Sequence, residues 1–451
     1  MKTSRRGKFN VLIRNQSSGK RNLIHQGLSN DANDFHRKET MKYASIVAIL
    51  ICSLAVSVAA AESPIKSGDR IAIVGNTFAD QLRIHGYLES ALLQHAHGVS
   101  IRNLGWGGDM LAARDRPTNF PSEESTLGAH RTDVIIACFG MGESFGGKES
   151  LGKFEQDLEA FISSHAGKSY NGESEVRLVI VSPIACEDLG GLTPNRDARN
   201  EDLLAYTQAA NKVAANAKVP FVNLFETSRY LMDEPVGPNL TTNGIHLNGF
   251  GYWAISHGFA DQLLASDQST SREPWRLSID AQAKRGQGYG IEISKLTIHA
   301  SEVAFEGTET LAPRLPPPTD QPLPPPLAFQ RDTLVVQNLA TGTYKLMVDG
   351  EKVATATADD WRHGVPIDSS PAHHEAEKFR EAVNDKNLQF TYSWKALNQV
   401  HIVGERRTSP SGRALPSEVI QFNELANQRD EAIQSGVELK TRQWRLTRIE
   451  N

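Results

Sequence analysis

The sequence is poor in cysteine and in aromatic residues, and it carries little net charge. Only 3 of its 451 residues are Cys and 7% are aromatic, which excludes a small fold held together by disulfides. Glycine and proline, at 35 and 21 residues, are too few for a collagen-like chain. The 39% hydrophobic and 22% charged residues exclude a disordered tail and a protein with many membrane spans. What remains is a folded chain, long enough for two domains or for one large domain with an appendage.

The net charge of -5 is unevenly distributed along the chain. Residues 1–40 hold nine Lys or Arg against three Asp or Glu, and Lys42 adds one positive charge before residue 62. The remainder of the chain therefore has a net charge of -12. Because binding to nucleic acid needs a basic surface, this balance argues against a nucleic-acid partner.

A long apolar run lies forty residues into the chain, at 44–60, after a basic start at Met41-Lys42 and before small residues. These are the parts of a secretory signal peptide. A membrane anchor is the alternative, but a spanning helix needs roughly 20 apolar residues. We therefore predict a signal peptide at residues 41–61. Residues 1–40 are then either disordered or an over-called start, that is, a stretch upstream of the true initiator Met41. The mature protein is expected to be exported, to the periplasm or outside the cell.

The three cysteines indicate neither a lipid anchor nor a disulfide bridge. Cys52 follows Ile51 rather than the small residue of a lipoprotein motif, so we expect no stable membrane anchor after the signal is removed. Cys138 lies in an apolar run, where a free buried thiol is common. We expect Cys138 and Cys186 to stay unpaired even in a compartment that permits disulfides.

Between residues 68 and 266, short apolar runs alternate with stretches of helical periodicity. Continuous Val, Ile and Leu runs separated by helices are typical of a parallel sheet that is covered on both faces. The expected fold is a three-layer, doubly wound α/β domain of about five strands, over residues 62–268. The expected strands are 70–75, 99–104, 133–140, 176–182 and 219–224, and the expected helices are 80–96, 151–165, 198–218 and 249–264.

The remaining residues, 269–451, predict a smaller β-rich and helical appendage without recognised chemistry. Residues 295–305 alternate like strands, and 333–357 read as a small antiparallel meander with a turn at Asp349-Gly350. The segments that complete the appendage are a Pro-rich connector at 313–326, helices at 372–383 and 418–434, and a stretch with Lys386-Asn387, Trp394 and Asn398 that is expected to return and cap the main domain.

Polar and glycine-rich segments follow the apolar runs, where an open parallel sheet binds its ligands. In chain order they are Gly75-Asn76-Thr77, Asn103 to Asp109 (NLGWGGD), Gly140 to Ser144 (GMGES), and Thr242 to Leu247 (TNGIHL). In this order they resemble the blocks of the SGNH, or GDSL-like, hydrolases. The resemblance covers about residues 66–266 and looks closest to a secreted branch associated with planctomycete-type bacteria. It implies a flavodoxin-like three-layer fold and ester hydrolysis that needs no cofactor and no metal.

The resemblance assigns a role to each matching position. Thr77 stands at the place of the nucleophilic Ser, and His246 at the place of the general base. Asn243 replaces the Asp that orients this His in the family. Gly108 matches the Gly whose backbone N–H helps to bind the oxyanion. Gly142 stands where family members usually have an Asn as a second oxyanion donor, so the implied catalytic machinery is weakened at three positions.

Other polar residues in the same segments are candidates to support the site. They are Asn76, Asp109, Glu143 and Ser144. Asp109, Glu143 and the pair Glu187-Asp188 all follow strand ends, so any of them could in principle orient His246. Ser144 could donate a hydrogen bond at the rim.

Some of these residues also have a purely structural interpretation. Thr77 could be a helix N-cap, a position that Thr favours. His246 could be an ordinary loop histidine, and Trp106 is expected to serve in packing or as a platform for a sugar ring rather than in chemistry. The order of the four segments, rather than any one of them, supports the functional interpretation.

Residues 142–146 spell Gly-x-Ser-x-Gly, the nucleophile elbow of the α/β-hydrolases, with acids and His246 downstream. That fold needs more strands ahead of the one that leads into its nucleophile than the two found here, and its helix should begin at once rather than near Glu149. We therefore disfavour this alternative.

A metal site is also disfavoured. His363, His373 and His374 lie close together in sequence with Asp368 between them, but no His-Glu-x-x-His or paired Cys spacing accompanies them.

The sequence thus predicts an esterase acting on a small-molecule or polysaccharide ester, with an acetyl group on a carbohydrate as one candidate. The alternative is an inactive relative that uses the same pocket to bind a glycan or a peptide. The sequence leaves the oligomeric state open.

Overall fold

The computed structural model describes residues 63–117, 120–264, 273–397 and 405–449. The expected signal peptide, the expected boundary at residue 268 and Asn398 lie outside these residues. All the described residues fall in the same structural unit, residues 60–451. Among them, no helix is long and apolar enough to cross a bilayer.

Within the described residues the strands form two groups, five in the N-terminal α/β domain and nine after it. The strands are β1 (Arg70–Gly75), β2 (Ser100–Asn103), β3 (Val134–Cys138), β4 (Arg177–Val181), β5 (Phe221–Val222), β6 (Arg276–Asp280), β7 (Arg285–Tyr289), β8 (Ile291–His299), β9 (Glu302–Glu309), β10 (Thr333–Gln337), β11 (Thr343–Val348), β12 (Glu351–Thr357), β13 (Val365–Pro366) and β14 (Thr441–Ile449).

The helices alternate with the strands in the first domain and form a long pair near the C-terminus. The helices are α1 (Thr77–His85), α2 (Tyr87–His95), α3 (Glu123–His130), α4 (Leu151–His165), α5 (Arg196–Ala217), α6 (Leu224–Met232), α7 (Gly249–Leu263), α8 (Pro325–Ala328), α9 (Ala358–His363), α10 (Pro371–Trp394) and α11 (Pro410–Ile433).

The first five strands form a parallel sheet in the order β2-β1-β3-β4-β5, as the apolar runs predict. Strand β3 is buried at every residue, because helices cover the sheet on both faces. Ile71 and Ile73 of β1 pack in the cluster formed with α1, α2 and α7, whereas Ala72 and Val74 pack in the cluster formed with α4 and α5. The three-layer, doubly wound α/β fold is therefore confirmed.

Three helical elements of the α/β domain differ from the expectation. The helix expected at 80–96 is two helices, because Gly86 between them has a left-handed backbone with a φ of 68°. Helices α3 and α6 were not expected from the sequence. Both are only eight or nine residues long, and segments so short show little periodicity.

The C-terminal region is built on two sheets, in the orders β13-β10-β6-β7 and β12-β11-β14-β9-β8. They share a core with the buried side chains of Trp275, Trp361 and Trp444. The expected meander at 333–357 is wrong, because β10 pairs in parallel with β6 and leaves only the β11–β12 hairpin. The expected turn is present: Asp349 and Gly350, with φ of 50° and 86°, connect the two strands.

The Pro-rich connector and the long helical pair both pack on the α/β domain. Leu315 of the connector and Leu327 of α8 are buried in the same cluster as α7, and the Leu315 carbonyl accepts a hydrogen bond from the Trp253 indole at 2.9 Å. Trp394 of α10 packs edge-on against Trp106, with ring centroids 5.6 Å apart. The appendage thus returns to the main domain, as the sequence indicates.

A buried ionic cluster joins the helical pair to the sheet. The Lys386 ammonium donates to Glu89 of α2 and, at 2.7 Å, to the carbonyl of Ile101 on β2, and its side chain is fully buried. Asp430 of α11 lies 3.2 Å from the guanidinium of Arg102. Burial raises the pKa of Glu89, and the nearby Lys386 opposes this rise. The cluster ties α10 and α11 to β2 through charged side chains that are buried.

We predict that Lys386→Met lowers the free energy of unfolding by about 3–5 kcal/mol, because it leaves the carboxylate of Glu89 buried without its cation. The matched control is Lys212→Met, since Lys212 is 63% exposed in its ion pair with Glu155. This control should cost less than about 1 kcal/mol in urea denaturation. Equal losses of unfolding free energy in the two variants would contradict a stabilising role for the buried pair of Lys386 and Glu89.

Glu309, the last residue of β9, is buried within the C-terminal region. Burial raises its pKa to about 7; the charges of His373 and Arg442 oppose this rise, and those of Asp332 and Glu375 add to it. His373 itself lies between Ser370, at 2.7 Å, and Asp332, at 3.2 Å. The other two histidines of the disfavoured metal site face other carboxylates: His363 faces Asp359, and His374 faces Glu351.

The raised pKa of Glu309 predicts a pH-dependent stability. The folded state retains a proton that an ordinary Glu releases near pH 4.5, so stability is lost as the pH rises from about 4.5 to about 7. We expect Glu309→Gln to remove up to about 3 kcal/mol of this dependence. Thermal unfolding of both proteins at pH 5 and pH 8 measures it, and an unchanged difference in Tm between the two pH values would refute the prediction.

Candidate active site

Loops at the carboxyl ends of the parallel strands converge on a cavity of about 300 Å³. The loops after β1, β2, β3 and β4 contribute to its wall, together with the loop before α7. The residues of the sequence analysis that line the cavity are Asn76, Thr77, Gly108, Asp109, Gly142 and His246. The structure therefore brings together the hydroxyl, the imidazole and the backbone amide that the sequence places far apart in the chain.

The position of Thr77 follows from the way β1 ends. Gly75 has a φ of 136°, and a Cβ atom there would lie 2.2 Å from the carbonyl oxygen of Cys138 on β3, so only glycine fits. The side chain of Asn76 then caps α1 by accepting from the N–H of Phe78 at 3.0 Å. Thr77 is thus the first helical residue and not the N-cap, and its hydroxyl remains free to face the cavity.

The loop after β2 is fixed against the start of α1. The Asn103 side chain donates to the carbonyl of Ala79 at 2.7 Å and accepts from the N–H of Gly105 at 2.9 Å. This contact brings the Gly108 N–H to 3.3 Å from the Thr77 hydroxyl oxygen, to which it donates. A backbone donor and a hydroxyl therefore lie side by side at the cavity, as an oxyanion site requires.

His246 is held by its neighbour Asn243. The Asn243 side-chain oxygen accepts from the backbone N–H of His246 at 3.0 Å and of Ile245 at 3.3 Å. The Asn243 amide nitrogen lies 2.9 Å from the ring Nδ1 of His246, and its oxygen lies 3.2 Å from the same atom. Since Nδ1 faces Asn243, the other ring nitrogen, Nε2, is the one available to the cavity.

A buried carboxylate organises the loop that bears these two residues. Glu187 accepts from the N–H groups of Leu240 at 2.8 Å and Thr241 at 2.7 Å, and from the Thr241 hydroxyl at 2.5 Å. Its own N–H donates to the carbonyl of Gly244 at 2.9 Å. Glu187 therefore holds the loop and not the imidazole, and Asp188 instead accepts from the N–H of Gly190.

The other candidate acids are also occupied. Asp109 makes a two-point ion pair with Arg116, at 2.8 and 2.6 Å. Glu143 accepts from the N–H groups of Leu111 and Gly140, both at 2.8 Å. Burial raises the pKa of Glu143, and these two hydrogen bonds oppose the rise. Within the described residues, no carboxylate contacts the ring of His246.

Comparison with known proteins shows what this chain is similar to. The model of the GDSL-like lipase/acylhydrolase family matches residues 68–254. The α/β domain is thus similar to this family over these residues, and it is called the GDSL-like domain below. A gut microbial diltiazem-metabolizing enzyme of known structure aligns with 86% of this chain and 99% of its own, at 17% identity and a TM-score of 0.64. This likeness shows a shared fold, and its length means that the fold extends into the C-terminal region.

A second solved structure, an acetylxylan esterase from Geobacillus stearothermophilus, aligns with 46% of this chain and 100% of its own. The identity is 14% and the TM-score is 0.35. The chain has no match among curated proteins.

The space next to Gly142 is filled by the side chain of another residue, Met110. A Cβ atom at Gly142 would lie 2.8 Å from Cγ and 3.1 Å from Sδ of Met110. The Met110 side chain thus occupies the space into which a side chain at position 142 would extend.

The alternative elbow at residues 142–146 does not fit the structure. Ser144 lies in a 3₁₀ turn (Glu143–Gly146), and its side chain is fully buried. Its hydroxyl donates to the carbonyl of Met141 at 2.7 Å and accepts from Arg199 at 2.7 Å. Helix α4 begins only at Leu151. Ser144 therefore holds the loop together and presents no nucleophile.

The sequence analysis missed three residues that shape the cavity. Met110 fills the space beside Gly142, and Phe145, which is 66% exposed, forms part of the rim. Arg199 stacks on the Phe145 ring at 3.9 Å and donates to the carbonyls of Met141 and Ser144. No local pattern marks these roles, because α5 meets the loop after β3 only in the folded chain.

Trp106 serves in packing. Its ring meets Phe120 and Trp394 edge-on, and the cations of Arg116 and Lys395 lie over it at 4.6 and 4.9 Å.

Proposed function

We propose that the GDSL-like domain hydrolyses carboxylic esters, with Thr77 as nucleophile, His246 as general base and the Gly108 N–H as oxyanion donor. The observation that carries this proposal is the contact of 3.3 Å between the Gly108 N–H and the Thr77 hydroxyl, in a cavity that His246 also lines. Acyl transfer needs a hydroxyl, a base that can reach it and a preorganised donor, and the residues of this cavity supply one of each type.

The reaction would proceed in two steps. The Thr77 oxygen attacks the carbonyl carbon while His246 takes the hydroxyl proton, and the oxyanion forms beside the Gly108 N–H. The bond to the alcohol then breaks, and the alcohol leaves with the proton that His246 returns. In the second step water attacks the acyl group on Thr77, which releases the acid and restores the hydroxyl.

Three features make this machinery weak. The methyl group of Thr77 sits on a branched Cβ and crowds attack. Gly142 provides no side-chain donor, and loss of one such donor costs on the order of 10²–10³ in turnover in other hydrolases. Asn243 replaces an acid, and the same change costs about 10⁴ in a serine protease. These costs do not simply multiply, so slow but measurable turnover is expected.

The substrate we propose is an ester of a small molecule or of a polysaccharide, with an acetylated carbohydrate as the first candidate to assay. Supporting this class, apolar side chains form much of the cavity wall, among them Phe139, Met141, Ile184 and Ile245. An apolar wall suits an uncharged acyl group, and the exposed Phe145 at the rim suits a ring of the alcohol part. We further propose that the protein acts after export, as the predicted signal peptide implies.

A second candidate function is binding without turnover, of a glycan or a peptide. It is favoured by the Met110 side chain beside Gly142 and by the lack, in the described part of the chain, of a carboxylate on His246.

We predict that Thr77→Ser raises kcat/KM on short acyl esters about tenfold, roughly 1.4 kcal/mol of barrier, since it removes only the crowding methyl group. His246→Ala should lower the rate by about 10²–10⁴ by removing the base. Initial rates on p-nitrophenyl acetate and on an acetylated oligosaccharide measure both. Activity of the wild type and of Thr77→Ser no higher than that of His246→Ala would exclude hydrolysis and leave binding.

The Met110 side chain beside Gly142 gives a further prediction. Gly142→Asn combined with Met110→Ala should raise kcat by about 10²-fold, because the second change makes room for the new oxyanion donor. Gly142→Asn alone should gain much less, since its side chain meets Met110. Kinetics of the single and double variants on the same ester decide the matter, and Met110→Ala alone is the control. Equal rates in all four proteins would show that residue 142 does not face the oxyanion.

A further inference from the structure

The amide of Asn243 has a fixed orientation. Its oxygen accepts from two backbone N–H groups, those of Ile245 and His246, at 3.3 and 3.0 Å. Turning the amide over would place its NH₂ group against these two donors, which is unfavourable because donors then face donors. The hydrogen-bond network therefore assigns which end of the amide is nitrogen.

With this orientation, the amide nitrogen is the closer atom to the ring. It lies 2.9 Å from Nδ1 of His246, whereas the oxygen, which already accepts twice, lies 3.2 Å away. Nδ1 could accept from the amide nitrogen or donate to the amide oxygen, and the shorter contact, to an NH₂ group that can only donate, favours a ring nitrogen that accepts and carries no proton while the ring is neutral. The neutral imidazole then carries its proton on the other nitrogen.

We propose that Asn243 is a positioning residue that holds neutral His246 in the tautomer with the proton on Nε2. The ring then presents an N–H to the cavity in place of a lone pair. The acid of an ordinary triad does the opposite, because it accepts from Nδ1–H and leaves Nε2 free to take a proton. The tautomer itself is independent of catalysis, whereas its effect on rate rests on the proposed ester hydrolysis.

This arrangement identifies which step is slow. Before His246 can accept the proton of Thr77, the ring must change tautomer and give up its hydrogen bond with the Asn243 amide nitrogen. The cost falls on the chemical step and not on substrate binding, so it lowers kcat and leaves KM nearly unchanged. An Asp at position 243 would keep both backbone hydrogen bonds and accept from Nδ1–H.

Nitrogen-15 NMR of the mature protein, at a pH where the ring is neutral, tests the tautomer directly. We expect the wild type to show an unprotonated Nδ1 and a protonated Nε2 in His246, and Asn243→Asp to show the reverse. His246→Ala identifies the signals. A protonated Nδ1 in the wild type, or an unchanged tautomer in Asn243→Asp, would overturn the proposal.

Kinetics form the second arm. Asn243→Asp should raise kcat at least tenfold with little change in KM. The matched control is Asn239→Asp, which adds the same charge at an exposed position of the same loop and should change neither the tautomer nor kcat. If Asn243→Asp reverses the tautomer and no ester is hydrolysed, the positioning role stands and the proposed function fails. A rise in kcat without a change of tautomer would contradict the positioning role alone.

Discussion

The close approach of β1 to β3 at Gly75 determines where the site can form. A side chain at this position would meet the Cys138 carbonyl, so the end of β1 can reach α1 only through a glycine. The same turn places the Asn76 cap and the Thr77 hydroxyl at the edge of the sheet where the other strands also end. Every later step of the proposed chemistry depends on this backbone contact.

A second constraint concerns the edge of the parallel sheet. Strand β2 is an edge strand, and an unpaired edge of a sheet is open to pairing with another chain. Here α10 covers it: the Lys386 ammonium donates to the carbonyl of Ile101, and Asp430 of α11 accepts from Ser100 at 2.5 Å. The helical pair thus covers the edge of the sheet at β2. The C-terminal region is therefore part of the stability of the GDSL-like domain, even though it contributes no side chain among those that line the cavity.

The sequence predicts those parts of the molecule that depend on local pattern. The strand expected at 70–75 and the helix expected at 151–165 have the same bounds in the structure. The first is a continuous apolar run, and the second has apolar residues at helical spacing. The same reasoning fails at 333–337, where a parallel partner, β6, lies more than fifty residues earlier in the chain. For the site, the order of the segments suffices to group Thr77, Gly108 and His246. The occupation of every candidate acid by another partner could not be foreseen, because these contacts join residues that only folding brings together.

The contacts that shape the site are separate from the positions at which the proposed machinery is weak. The proposed oxyanion donor is a backbone N–H, and Glu187 holds the loop of His246 through N–H groups and the Thr241 hydroxyl. None of these contacts needs the charge of an acid at position 243 or a side chain at position 142. Asn243 accepts the same backbone N–H groups that an Asp would accept, so the loop folds equally well with either residue. An Asn in place of an Asp at position 243 therefore bears on the proposed tautomer of the ring and not on the fold of the loop.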